Sequence, residues 1–384
     1  MVIDSIKNKL SKGLSPAQTM MQNVLKIKKG EKVLIVANPE LNPIAQEVYQ
    51  AALETGSNVS LIFQQKKTAM DYAEKTVTGA ILTEPDVVIS ISAVKLGKDE
   101  NAVKNIYVDE NGKSYDSAFD YLLFGKKSIR AIWMPGLTQD MFSRTVNIDY
   151  EQLKKRCESL CKKFENAVSI HVTAPAGTDV HVPVKGRTPL VDDGDFSRPG
   201  TGGNIPTGEV FISPVMPDEN AEHSDGELNG TEGTIVFDGS MSFNDGDDIL
   251  KTPIKVEVHN GFVKEITGGP EAKRLLKDIQ NAEKESLVMG TTGKLSREDA
   301  AIHKRNSRNI GELGIGLNPA ATITGNMLED EKAFRTCHFA IGENYDGDAP
   351  ALIHFDGLVK NPTLTIKYAD GSEFSVLENG DLKI

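Results

Sequence analysis

Runs of apolar residues alternate with helical-period segments through the first half of the chain. "EKVLIVAN" (31–38) is a continuous apolar run, as expected for a strand covered on both faces. "NPIAQEVYQAALETG" then places apolar residues at helical spacing and stops at Gly56. "NVSLIFQ", "PDVVISIS" (85–92) and "IRAIWMPG" (129–136) predict three more strands, with a helix expected at 68–77 and an amphipathic helix over 150–167. This is the βαβ order of an open, mainly parallel sheet.

Near residue 168 the texture changes. "AVSIHVTAP" and "DVHVPVKG" alternate as strands with one exposed face, and His171 and His181 read as surface or core histidines of those strands. "KVEVHNGFVKEITGG" predicts a hairpin turning at Asn260-Gly261, and a charged helix is expected over 269–286. The closing segment predicts strands joined at Asp370-Gly371 and Asn379-Gly380. The fold class expected is an α/β N-terminal scaffold domain (1–167) followed by a β-rich α+β catalytic domain (168–384).

Composition narrows the function classes. The chain has 384 residues, 39% hydrophobic and 26% charged, enough for two cores, and a formal charge of -12. That sign disfavours nucleic acid and anionic membrane surfaces as partners. No apolar run approaches the ~18 residues of a membrane span, and the first residues lack the features of a signal peptide. Three cysteines do not make a disulfide framework; Cys157 and Cys161, four apart on a helix, read as reduced thiols and suggest the cytoplasm. The first half has no G-x-G-x-x-G after its first strand, and "GTTGKLS" (290–296) is too short between glycines for a phosphate loop.

Metal-capable residues gather in four stretches of the second half. Glu209 lies in "NIPTGEVFISP", Glu312 in "NIGELGIGLNPAA", His338 and Tyr345 in "TCHFAIGENY", and His354 and Asp356 in "ALIHFDGLV". His354 and Asp356 are two apart, so a strand points both to one face. Glycines around Glu312 allow a ligand to approach the backbone closely. Two glutamates, two histidines and one aspartate suit borderline divalent metals, and five ligands suit a pair of ions sharing a carboxylate.

Together these four stretches resemble the M29 family of metallo-aminopeptidases, the aminopeptidase T and S group, and "VLKIKKGEKVLIVANPE" looks like that family's opening. The resemblance implies a metal-dependent aminopeptidase acting on peptides as a homodimer. It implies two divalent ions (Zn, Co or Mn) on Glu209, Glu312, His338, His354 and Asp356. Glu312 or Glu209 would take the proton of the attacking water, Tyr345 would stabilise the oxyanion, and Glu331 would meet the substrate amine. A dihydroxypyridine ring-cleaving dioxygenase is similar to the same fold. It implies instead one non-haem iron on two histidines and a carboxylate: His354 and Asp356, with His303 or His338 as the third ligand. A non-catalytic binding protein on this fold is the third expectation.

Overall fold

The computed structural model describes residues 13–68, 71–218 and 229–384. It divides into two units: residues 1–154 with 192–208 and 318–321, and residues 155–191 with 209–317 and 322–384.

In the first unit, the apolar strand Lys32–Ala37 lies between Asn58–Phe63 and Val87–Ile91, parallel to both. Arg130–Trp133 and the short Gly202–Asn204 extend this sheet in parallel, giving five strands. Val87–Ile91 is buried at every position, the signature of a strand covered on both faces. Helix Asn42–Glu54 turns Ile44, Ala45, Val48, Ala51 and Ala52 inward, the spacing of one helical face. Arg130 anchors the sheet from within: it is 3% exposed and donates through Nη1 and Nη2 to both oxygens of Glu31, at 3.1 and 2.7 Å.

The expected helix at 68–77 is displaced to Lys75–Ile81. The Asp71 carboxylate accepts from both the amide and the hydroxyl of Thr68, closing a local turn that competes with helix. Lys67 and Tyr72 form isolated bridges to Lys95 and Lys98. Residues 69–70 of that expectation, and residues 1–12 of the N-terminal one, lie outside the described residues.

The second unit is dominated by antiparallel sheet. One sheet has eight strands, in the order 262–268, 254–259, 232–237, 179–183, 167–173, 363–368, 373–378, 381–382. The hairpin at Asn260-Gly261 forms where expected, both residues having positive φ. The other sheet has seven strands, and four consecutive ones matter most: His354–Lys360, Thr336–Gly342, Ile310–Gly316 and Glu209–Ile212. One face of these strands packs Leu313, Ile315, Phe339, Ile341, Phe355 and Val359 as core, all buried. Helix Pro270–Thr291 runs past the expected end at 286 and is followed by helix Arg297–Asn306. No helix among the described residues is long and apolar enough to cross a membrane.

Candidate metal centre

The register of the four strands builds the site on the face opposite that core. Glu312 pairs with Ala340, and Ala340 with Asp356. Gly314 pairs with His338, Gly342 with His354, and Glu209 with Gly316. Directly opposed residues share a face. The large polar groups therefore stand above a floor of Gly314, Gly316, Ala340 and Gly342. Gly314 has a steric duty: a Cβ built there would lie 2.0 Å from Nε2 of His338. A small residue is what admits the imidazole.

All five expected ligands converge. Donor atoms of Glu209, Glu312 and His338 lie within 4.8 Å of one another, as do those of Glu312, His354 and Asp356. Glu312 belongs to both groups. Its Oε1 is 2.9 Å from His338 Nε2 and its Oε2 is 3.4 Å from His354 Nε2. His338 Nε2 is also 3.6 Å from Glu209 Oε2, and His354 Nε2 is 3.4 Å from Asp356 Oδ1. His354 Nδ1 donates to the Glu343 carbonyl at 2.8 Å. A carbonyl only accepts, so this bond leaves Nε2 free to act as a ligand. His303 joins neither group; it sits on helix Arg297–Asn306.

Lys332 is the member that sequence reasoning missed. Its side chain is fully buried, and its ammonium donates to Glu209 Oε1 at 2.5 Å and also to Glu331. In "LEDEKAF" sequence reasoning singles out Glu331 alone and gives its neighbours no role. The fold divides the charges. Glu329 accepts from the Thr322 amide at 2.8 Å, and Asp330 from the amides of Thr324 and Gly325 at 2.7 and 3.0 Å, while Glu331 and Lys332 turn to the site.

Burial pushes the Glu312 carboxyl up, but hydrogen bonds and charge from His338 and His354 outweigh it and hold the group at about 2. Burial pulls His338 down, and Glu312, with Glu209 and Asp356, lifts it to about 9. Glu331 shifts the other way from Glu312: burial raises it, Lys332 opposes, and the Glu209 and Asp356 charges add to the rise. Tyr345 is 60% exposed, with its ring edge-on to Phe211 (5.1 Å) and His354 (5.2 Å). Asn344 steadies its loop, accepting through Oδ1 from the amides of Gly347 and Ala349.

Do these residues fit a metal? Glu209 Oε2, Asp356 Oδ1 and His338 Nδ1 are buried without a hydrogen-bond partner. Buried carboxylate oxygens left unpartnered are costly. A cation held by Glu312, His354 and Asp356 would satisfy Asp356 Oδ1, one held by Glu209, Glu312 and His338 would satisfy Glu209 Oε2, and the oxygen–nitrogen donors of either group suit a divalent ion.

The donor set defines a site that could hold a metal ion. The chain belongs to the family described as NicX, 2,5-dihydroxypyridine 5,6-dioxygenase, whose model matches residues 138–366, more than half of its length. A 2,5-dihydroxypyridine 5,6-dioxygenase of Pseudomonas putida is 28% identical over 181 residues, 47% of this chain and 42% of that relative. The match thus spans less than half of the relative's length. The solved 2,5-dihydroxypyridine dioxygenase of Pseudomonas putida KT2440 superimposes with a TM-score of 0.65 at 18% identity, covering 96% of this chain and 98% of that one. AmpT from Thermus thermophilus gives 0.64 at 15% identity with the same coverage.

The M29-like fold is therefore shown, and the peptidase function is corrected. The family model and the Pseudomonas putida relative both carry a dioxygenase description, so the aminopeptidase activity, its protease class and its peptide substrate are withdrawn. The likeness to AmpT is one of fold. The physical reason for the error is that one strand-borne donor set serves different chemistries. Metal-capable residues define a site, and not the reaction run at it.

Proposed function

We propose that this chain is a metal-dependent dioxygenase that opens the ring of a dihydroxylated pyridine, the substrate class in its family's description. The observation that supports this most is the convergence of Glu312, His354 and Asp356 on one sheet face, with Asp356 Oδ1 buried and without a hydrogen bond. Those three residues would hold the ion, with His338 linked to them through Glu312. Iron(II) is the ion assigned from the family's dioxygenase description; with one imidazole and two carboxylates as ligands, positions stay open for further ligands. When bound, it supplies the redox chemistry that lets dioxygen react with an aromatic ring.

The remaining work falls to the chain's own side chains. Glu312, held ionised, fixes both imidazoles. Lys332 pairs with both Glu209 and Glu331 and so fixes the two carboxylates where they line the site. Phe211 and Tyr345 offer aromatic surface to a planar ring. Glu331, shifted upward, is assigned to exchange a proton with a ring hydroxyl. We place the reaction in the cytoplasm, a reading the three thiols support.

The test is oxygen uptake. Protein loaded anaerobically with ferrous ion and mixed with 2,5-dihydroxypyridine should consume one dioxygen per ring opened, and Asp356→Asn should abolish it. Iron-loaded wild type that consumes no dioxygen with any dihydroxypyridine isomer would refute the proposal.

A further inference from the structure

The eight-stranded sheet carries another set of donors, unconnected with the ring-opening site. Strands Ala167–Thr173 and Asp179–Pro183 pair antiparallel, with His171 directly opposite His181. Their rings stack with centroids 4.1 Å apart and planes 9° from parallel. Asp179 is two residues before His181, and so on the same face. Its Oδ1 lies 2.7 Å from His171 Nε2. One donor atom from each of the three lies within 4.8 Å of the other two. The row continues across the sheet: Glu232 stands opposite His181 and holds His259 Nδ1 at 2.7 Å. Three of the chain's seven histidines thus fall in one line on an exposed face, where apolar or uncharged strand residues would serve structure equally well.

We propose that His171, His181 and Asp179 form a surface site for zinc. Two imidazoles and a carboxylate are a common three-ligand zinc set, with a fourth position left to water. The hairpin fixes the three backbones. The side chains are partly exposed, so each ring is able to turn about its χ2 and aim a nitrogen at one ion. Asp179, already at His171, supplies the negative charge. Lys367 also bears on His181 and works against a cation, which favours micromolar over tighter binding.

Zinc counting on the full chain tests this. Wild type dialysed against zinc buffered at low-micromolar free concentration should retain one more zinc per chain than the His171→Asn/His181→Asn double variant. Asp179→Asn should weaken that equivalent roughly tenfold. His259→Asn, in the same row but outside the triad, should leave the count unchanged. Equal counts in wild type and double variant would overturn the site, and so would loss of the same equivalent in His259→Asn. On unmutated protein labelled with 15N-histidine, zinc should shift the ring nitrogens of His171 and His181 together. Unmoved resonances at saturating zinc would overturn the proposal independently of any variant's folding.

Discussion

Replacing Gly314 by alanine tests the construction of the candidate metal centre through one methyl group. The added Cβ would stand 2.0 Å from Nε2 and 2.1 Å from Cε1 of His338. A buried side chain sometimes yields to such an intrusion, but His338 is 0% exposed and its Nε2 is tied to Glu312 at 2.9 Å. Leaving that position breaks a charge-assisted hydrogen bond, worth ~1.5–3 kcal/mol. Staying forces the strands apart, an overpacking cost of ~1–3 kcal/mol. Since only one of the two happens fully, the expected loss is about 1–3 kcal/mol, with weakened metal binding alongside. Urea unfolding followed by tryptophan-independent far-UV circular dichroism reads the first, and ferrous or zinc titration the second. Gly79→Ala is the matched control: nothing lies within 4 Å of its added Cβ, and the residue is helical. It should gain ~0.5–1 kcal/mol. If Gly314→Ala keeps wild-type stability and wild-type metal affinity, the imidazole does not depend on that gap, and the packing argument fails.

Lys332→Met should destabilise the second unit by about 3–5 kcal/mol, the usual result of removing one partner from a buried ion pair. Thermal unfolding checks it, and a change under 1 kcal/mol would mean Glu209 and Glu331 are neutral without the lysine. The Glu31–Arg130 pair sets an acid-side dependence. Burial raises the Glu31 carboxyl, but hydrogen bonds from Arg130 and the Lys28 amide, with the nearby positive charges, bring it below its ordinary 4.5. A depressed carboxylate stabilises the fold fully above its unfolded value and loses that contribution as pH falls through the folded one. Denaturant midpoints of wild type should therefore drop from pH 6 toward pH 3 more steeply than those of Glu31→Gln. Parallel slopes would remove Glu31 from the acid response.

How legible was this molecule in its sequence? Helix Asn42–Glu54 and the parallel strands were readable because their patterns are local: a 3.6-residue period on one side, continuous apolar runs on the other. The helix expected at 68–77 failed because a side chain, Asp71, captured the backbone first. The candidate ligand residues were readable one by one, and the two-residue spacing placed His354 and Asp356 on one face. The dioxygenase description came only from comparison, because the donor set does not encode which bond is broken.

What the chain settled by itself was strand parity, glycine placement and the supply of carboxylates and imidazoles, since each depends on neighbours in sequence. Only the folded sheet decided the rest. Residues 209 and 356 fall in donor groups linked through Glu312 because their strands lie in one sheet in a fixed register. Lys332 is a buried clamp, not a solvated charge, because the short helix Met327–Asp330 before it spends Glu329 and Asp330 on loop amides and leaves its ammonium facing two acids. Burial and long-range pairing are properties of which surfaces meet, and a one-dimensional pattern records only which faces are available to do so.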